Sequence, residues 1–154
     1  LNDVASPPLF INTVAGLGSP WWRKAGEPIF IPDKPCHTTA EEYVAIIESI
    51  VFLIFYNLQQ LAQPTNTLLL SGGLSRLDGL CQKLADLSTA KIVRHIECES
   101  SVRGCAWLSR QALNSNHDWL PLPVGKIFSP IQNDLLFNRY EQFVGELEKR
   151  TNNN

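Results

Sequence analysis

The residues best suited to ligand chemistry form the short segment Ser71-Gly72-Gly73, which separates an apolar run, 67–70, from a helix-like pattern, 74–87. Glycines let a ligand approach the backbone, and a helix start offers N–H groups and a positive dipole end that suit a phosphate. The same pattern is typical of a tight turn that binds nothing. It matches neither the dinucleotide-binding fingerprint nor the P-loop, so the residues alone leave both interpretations open.

Glu48, Trp21 and Trp22 are the other side chains that could do chemistry. Glu48 interrupts an apolar run and could act in catalysis, but a buried carboxylate that is paired with a basic group or capped by backbone is the favoured interpretation. The two tryptophans could stack on a sugar ring, yet anchoring their loop by packing is favoured for them too.

The chain contains four cysteines and three histidines: Cys36, Cys81, Cys98, Cys105, His37, His95 and His117. The cysteines form no C-x-x-C pair and are too sparse for the disulfide framework of a small secreted domain, which predicts reduced thiols and a cytoplasmic location. Cys36 and His37 with His95 and Cys98 do not reproduce a standard zinc spacing, so we predict no metal site. The histidines have no acid or nucleophile at a matching spacing, and we assign them no role.

The composition is that of a folded globular unit. With 154 residues, the chain is one domain or a piece of a larger protein. Hydrophobic residues make up 44% and charged residues 18%, which leaves too little charge for a disordered chain. A net charge of -2 provides no attractive field for nucleic acid, which we exclude as a partner. The sequence opens without Met or a signal-peptide pattern, and we expect it to be part of a longer protein.

Apolar periodicity predicts alternating strands and helices. Strands are expected at 9–11, 29–31, 67–70 and 91–96, helices at 39–63, 74–87, 100–113 and 134–150, a Pro-rich connection before the last helix, and a disordered tail at 151–154. This order favours an α/β fold with a partly parallel sheet. Strands 67–70 and 91–96 should be parallel neighbours, joined by the helix after Gly73.

The helix expected at 39–63 contains the most apolar segment of the chain. Its apolar residues lie on most of its sides, which predicts burial. Glu48 and Ser49 interrupt the run, leaving fewer than the ~18 unbroken apolar residues that a membrane span needs. We therefore predict a core helix and no membrane partner.

Blocks in the first half of the sequence resemble the FGGY family of carbohydrate kinases, which includes glycerol kinase and xylulokinase. Gly16-Leu17-Gly18-Ser19-Pro20-Trp21-Trp22 is similar to the family's G-L-x-A/S-P-x-W loop, and Ile46-Ile47-Glu48-Ser49-Ile50 to its L-E-S/G-I/V helix. Ser71-Gly72-Gly73, followed by Gln82 and Ala85-Asp86, resembles its nucleotide turn and the succeeding helix.

Later blocks extend the resemblance along almost the whole chain. Glu99 with Gly104-Cys105-Ala106 is similar to the family's E-x-x-x-x-G-A-A block, and the closing W, F-x-P and Y positions are matched by Trp119, Phe128-Ser129-Pro130 and Arg139-Tyr140. The order and spacing of the blocks carry the resemblance.

The resemblance implies an α/β fold that is part of a ribonuclease H-like (actin-like ATPase) domain, a mixed sheet flanked by helices. It identifies residues 1–150 as the carboxy-terminal portion of the family's second domain, on the nucleotide side. In the family, two such domains close over ATP, Mg²⁺ and a sugar or polyol. The carboxylate base, most sugar contacts and a phosphate-contacting Gly-Thr turn belong to upstream parts, so the resemblance implies a missing amino-terminal domain as partner and no catalytic residue in this chain.

Carried over by position, the nucleotide-binding residues implied by the resemblance are Ser71, Gly72, Gly73, Arg76 and Leu77, with Gly73 at the contact position. Leu77 stands where glycerol kinases place an adenine-contacting asparagine, so base recognition here is apolar, comes from elsewhere or is lost. Arg76 could reach a nucleotide phosphate or lie on the surface, and both interpretations stay open. The stretch after Trp22 departs from the family, which leaves the sugar undetermined.

The resemblance implies an ATP-dependent kinase of a sugar or polyol, to which this chain contributes the adenosine-binding wall without being active alone. The alternative is a non-catalytic nucleotide-binding or interaction module derived from such a kinase, and a third is a folding unit without a ligand. The Leu77 departure is the feature that favours the non-catalytic module. Self-association stays open.

Overall fold

The computed structural model describes residues 7–32, 38–61, 63, 65–96, 99–113 and 119–152. Within them lie five strands and four α-helices: β1 Leu9–Ile11, β2 Ile29–Ile31, α1 Thr39–Gln59, β3 Thr67–Leu70, α2 Asp78–Ser88, β4 Lys91–His95, α3 Ser100–Ala112, β5 Val124–Phe128 and α4 Asp134–Asn152. A short 3-10 turn, Gly73–Arg76, stands between β3 and α2.

The strands form a two-stranded and a three-stranded sheet. In the smaller sheet β1 and β2 are antiparallel. In the larger one β4 is central, parallel to β3 and antiparallel to β5. The prediction that 67–70 and 91–96 are parallel neighbours is confirmed, as is the mixed α/β architecture.

Helix α1 begins with a capping box, in which the Thr38 hydroxyl accepts from the Glu41 N–H and the Glu41 carboxylate accepts from the Thr38 N–H. The helix ends at Gln59, about four residues before the predicted end, and the Gln60 N–H bonds back to carbonyls of the last turn. Among the described residues, no helix combines the length and apolar character that a membrane span requires.

The core lies among the helices α1, α2 and α4, with β1 of the smaller sheet packed against α1 and α4 and β4 of the larger sheet packed against α2. Its centre is a group of aromatic rings from α1 and α4, with Phe52 and Phe143 5.3 Å apart and Phe55 and Tyr140 4.8 Å apart between centroids. Ile92 and Phe128 extend this core onto the sheet. Helix α1 is therefore a core helix, as its apolar periodicity predicts.

The structure differs from the predicted elements at three further places. The helix expected from Leu74 begins only at Asp78. The Pro-rich connection contains a strand, β5, which sequence reasoning missed. Helix α4 continues past Arg150 to Asn152, and the Thr151 hydroxyl donates to the Glu148 carbonyl, so the helix takes in the first half of the predicted tail. Residues 153–154 lie outside the described part.

Helix α3 differs from the other helices because none of its residues is buried. Gly104, in the middle of this helix, has nothing within contact distance of a Cβ built on it. The helix instead presents apolar side chains such as Val102 and Leu108 to solvent.

Candidate functional site

The segment Ser71–Leu77 forms one continuous turn at the carboxyl end of β3, so the structure keeps all five predicted nucleotide-binding residues together. Gly72 has a φ of +89°, a conformation that residues with a Cβ adopt only under strain. Gly73 has no such requirement, and a Cβ built on it would meet nothing. Gly72 is thus needed by the turn itself, whereas the bare backbone at Gly73 leaves space open in front of the turn.

The break between the 3-10 turn and α2 has its cause in the Ser75 carbonyl. In a continuous α-helix this oxygen would accept from the N–H four residues on. Here it accepts from Arg94 Nη1 at 2.8 Å and from the Cys81 thiol at 3.1 Å, while the buried Ser75 hydroxyl donates to the Gly72 carbonyl at 2.6 Å. Side chains from β4 and α2 therefore stop the helix and hold the turn in place.

Leu77 is the N-cap residue of α2, where it has extended backbone and provides no side-chain cap. It is 40% exposed, so it offers an apolar surface at the end of the turn. Asp78 follows in the first turn of α2, and its carboxylate already lies at the positive end of the helix. The start of α2 therefore suits an uncharged ring better than a second anion.

Arg76 ends the 3-10 turn and lines a cleft of about 430 Å³ together with Arg94, His95, Ile96, Gly125 and Lys126. Asp78 holds two of these cations, with Oδ1 2.8 Å from Arg94 Nη1 and Oδ2 2.6 Å from Lys126 Nζ. Hydrogen bonds from Lys126 and then Arg94 hold the pKa of the Asp78 carboxyl below its usual value. We call this the basic cleft.

Sequence reasoning missed Lys126 and Arg94 as members of the site. Their signal was weak: Lys126 stands in a five-residue run, Val124–Phe128, that is interrupted by Gly125 and framed by prolines, a pattern that reads as a loop. Only the pairing of β4 with β5 brings Lys126 opposite Arg94.

Glu48 has a structural environment, as its favoured interpretation predicts. Its buried carboxylate accepts from Lys83 Nζ at 2.9 Å and from Arg139 Nη2 at 2.6 Å. Arg139 also donates to the carbonyls of Pro7 and Pro8. We call Glu48, Lys83 and Arg139 the buried triad, and it joins α1, α2 and α4.

The two tryptophans differ in their surroundings. The Trp21 ring packs on Tyr56 of α1 with centroids 4.6 Å apart, which confirms an anchoring role for this residue. Trp22 is 78% exposed and has a φ of +48°. Packing therefore explains Trp21 but not Trp22.

Neither described thiol has the surroundings of a reactive or metal-binding cysteine. Cys81 is buried, and this burial raises its thiol pKa, while Cys105 is exposed on α3. The described residues contain no group of three or more His, Cys, Asp or Glu side chains that could hold a metal ion. Cys36, His37, Cys98 and His117 lie outside the described residues.

The sequence matches the FGGY family of carbohydrate kinases, C-terminal domain, over residues 3–112. No curated protein matches it. Among solved structures it is similar to a xylulose kinase from Lactobacillus acidophilus, with 22% identity, 94% of this chain and 31% of that chain covered, and a TM-score of 0.68.

Two further structures show the same fold. A gluconate kinase from Lactobacillus acidophilus is 22% identical, and the match covers 94% of this chain and 30% of the kinase, with a TM-score of 0.67. A glycerol kinase from Plasmodium falciparum, solved with ADP, is 18% identical, and the match covers 94% of this chain and 30% of the kinase, with a TM-score of 0.72. This chain therefore spans about a third of the length of the solved structures it matches.

Proposed function

This chain belongs to the FGGY family of carbohydrate kinases, and we propose that the complete protein containing it transfers the γ-phosphoryl group of ATP to a hydroxyl of a sugar or polyol. The hydroxyl oxygen forms the new bond to phosphorus, the bond to ADP breaks, and the hydroxyl proton passes to a carboxylate in the upstream part. Residues 1–150 belong to the second domain on its nucleotide side, and this chain supplies the wall for adenosine.

The observation that carries the proposal is the open backbone at Gly73 within the turn Ser71–Leu77. A Cβ at this position would meet no protein atom, so the space in front of it is available to a ligand. Leu77 adds an apolar surface on which a purine ring can rest, and Asp78 discourages a phosphate at the start of α2. This arrangement supports an adenosine wall in place of a phosphate cradle.

The remaining parts of the reaction belong elsewhere in the complete protein. Mg²⁺, whose ligands we assign to the upstream part, would supply neutralisation of the phosphate charge; the described residues contain no group of three or more His, Cys, Asp or Glu side chains that could hold it. The base and most sugar contacts are assigned there too. We therefore propose that this chain alone does not phosphorylate any sugar, and that the complete protein acts in the cytoplasm.

The second candidate is a nucleotide-binding module without kinase activity. The apolar Leu77 at the position of an adenine-contacting asparagine in glycerol kinases supports it, because leucine provides no hydrogen bond to the base. Assay of the complete protein with ATP and a panel of sugars and polyols separates the two candidates. Turnover supports the kinase, whereas nucleotide binding without turnover supports the module.

The substitution Gly73→Val tests the adenosine wall. We expect ATP affinity of the complete protein, measured by isothermal titration, to fall at least about tenfold, because the valine side chain fills the open space. The fold should be retained, since Gly73 has no positive φ and no neighbour to clash with. Gly104→Val on α3, where a Cβ also meets nothing, is the matched control and should bind ATP normally. Unchanged affinity in Gly73→Val would show that the turn is only structural.

A further inference from the structure

We propose that the outer face of helix α1 binds the same face of a second copy of this chain, so that the protein forms a symmetric dimer. Six residues of α1 and of the turn after it line a groove of about 560 Å³ on this face: Ile50, Leu53, Ile54, Asn57, Leu58 and Leu61. We call them the outer stripe. The described lining of the groove is completed by Ser19 and Gln60 and contains no charged residue.

Helix α1 is apolar on two sides. One side, with Val51, Phe52 and Phe55, is buried in the core. The outer stripe repeats at intervals of three and four residues, which places its members along a second face of the helix. A helix that is apolar all round is normally covered all round. Here the aliphatic members within α1 are only half-buried, and Leu61 is 59% exposed. The outer stripe therefore has the pattern of a surface that packs against another helix.

A second copy of α1 supplies a helix of the required kind. When two copies pack antiparallel about a two-fold axis, the outer stripe of one lies on that of the other, and every contact is made twice. An ionised residue in the groove would also be present twice, and like charges that face each other oppose association. Because the described lining holds none, self-association meets no repulsion, and the spacing of the stripe suits ridges-into-grooves packing.

Helix α3 also exposes apolar side chains, but its charges do not suit self-association. Val102 and Leu108 share this helix with Arg103 and Arg110, and Ser100–Ala112 contains no acidic residue. Two copies of α3 would bring cations together without an anion from either helix. Of the two exposed apolar helix surfaces, the uncharged groove on α1 is therefore the one that fits a second copy.

Asn57 is the polar member of the outer stripe, and its donors are already used. Its amide group donates to the Ser19 carbonyl at 3.0 Å and to the Leu53 carbonyl at 2.8 Å. Burial of a polar group is costly mainly where the group has no hydrogen bond. A second copy can therefore cover Asn57 without leaving a donor unpaired.

The loop beside the groove presents an exposed tryptophan. This loop is fixed to α1, because Asn57 binds the Ser19 carbonyl and the Trp21 ring packs on Tyr56. Trp22 is nevertheless 78% exposed and has a φ of +48°, which is strained for a residue of its size. Strained residues cluster at functional sites, and tryptophan is enriched among interface hot spots. We assign Trp22 to the rim of the dimer.

Sedimentation velocity of this chain over about 1–100 µM tests the dimer, with circular dichroism as the check of folding for each variant. We expect a dimer that dissociates on dilution. Leu61→Glu should weaken it about hundredfold, because two like charges then enter each interface, and Trp22→Ala about tenfold. Both side chains are exposed, so the fold should be retained. Leu135→Glu on α4 changes another exposed leucine and should leave the dimer unaltered.

A chain that stays monomeric at about 100 µM overturns the proposal. A dimer that persists in both Leu61→Glu and Trp22→Ala also overturns it, since the interface then lies elsewhere, as does an equal loss in Leu135→Glu. A dimer that is lost in Leu61→Glu and unchanged in Trp22→Ala supports the outer stripe and removes Trp22 from the interface. These outcomes do not depend on the proposed function, because no ligand takes part in the measurement.

Discussion

Two carboxylates in this protein each bind two cations, and their surroundings separate a stabilising role from a ligand-facing one. In the buried triad, the side chains of Glu48, Lys83 and Arg139 are 4%, 12% and 14% exposed. In the basic cleft, Asp78 and Lys126 are 53% and 51% exposed, whereas Arg94 is 17% exposed. The distances within the two groups are similar, so the burial of the carboxylate distinguishes them.

The difference teaches where charge can be used for binding. A buried charge that loses its partner stays desolvated, so each member of the buried triad is required by the others. An exposed pair contributes little to stability because water and salt screen it. Its donors can therefore be shared with a ligand without loss of the fold.

Arg139→Leu should give the largest effect. It leaves the Glu48 carboxylate buried with Lys83 alone and removes the donors to Pro7 and Pro8, which we expect to lower the free energy of unfolding by about 3–5 kcal/mol. Urea unfolding followed by circular dichroism measures it. Replacing all three members, as Glu48→Leu with Lys83→Met and Arg139→Leu, should recover much of the loss, because no buried charge remains. If the free energy of unfolding of the single variant falls by less than about 1 kcal/mol, the buried triad contributes no more to stability than an exposed ion pair, which contradicts this prediction.

An intermediate effect is expected from Tyr140 at alkaline pH. Burial, followed by the charges of Tyr56 and Glu148, raises the pKa of Tyr140 to about 12 from its ordinary 10. The neutral phenol is thus favoured in the folded state, and this contribution is complete below pH 10 and is lost as the pH rises towards 12.

The test compares Tyr140→Phe with Tyr43→Phe, which changes a solvent-exposed tyrosine on helix α1. Over this pH window, the free energy of unfolding of the unsubstituted protein should decrease more steeply with pH than that of Tyr140→Phe. The difference between the two slopes should correspond to at most one proton released on unfolding. Tyr43→Phe should keep the full slope. Equal slopes in all three proteins would contradict the role of Tyr140.

Asp78→Asn should have the smallest effect on stability. The lowered pKa of Asp78 means that its contribution is present above its unfolded pKa and is lost as the pH falls below it. Because the carboxylate is exposed, the urea midpoint at neutral pH should hardly change. A large loss of stability in Asp78→Asn would show that the ion pairs of the basic cleft stabilise the fold as those of the buried triad do, which contradicts the comparison.

Local patterns in the sequence predicted most elements of the fold because they depend on neighbouring residues. The Thr38 and Glu41 pair marks the start of α1, and glycines after an apolar run mark the end of β3. The end of α1 and the start of α2 were misplaced. At α2 the reason is that Arg94, from another strand, binds the Ser75 carbonyl, which no local pattern reveals.

The candidate site divides in the same way. The sequence alone determined that Ser71-Gly72-Gly73 is a glycine turn between a strand and a helix, that Glu48 would be paired, and that the blocks along the chain resemble those of FGGY kinases. Only the tertiary structure decided that Lys83 and Arg139 are the partners of Glu48, 35 and 91 residues away, and that Lys126 lies opposite Arg94. A charge pairs with whatever the folded chain brings within a few ångströms of it, and for these residues that proximity comes from strand pairing and helix packing between distant segments.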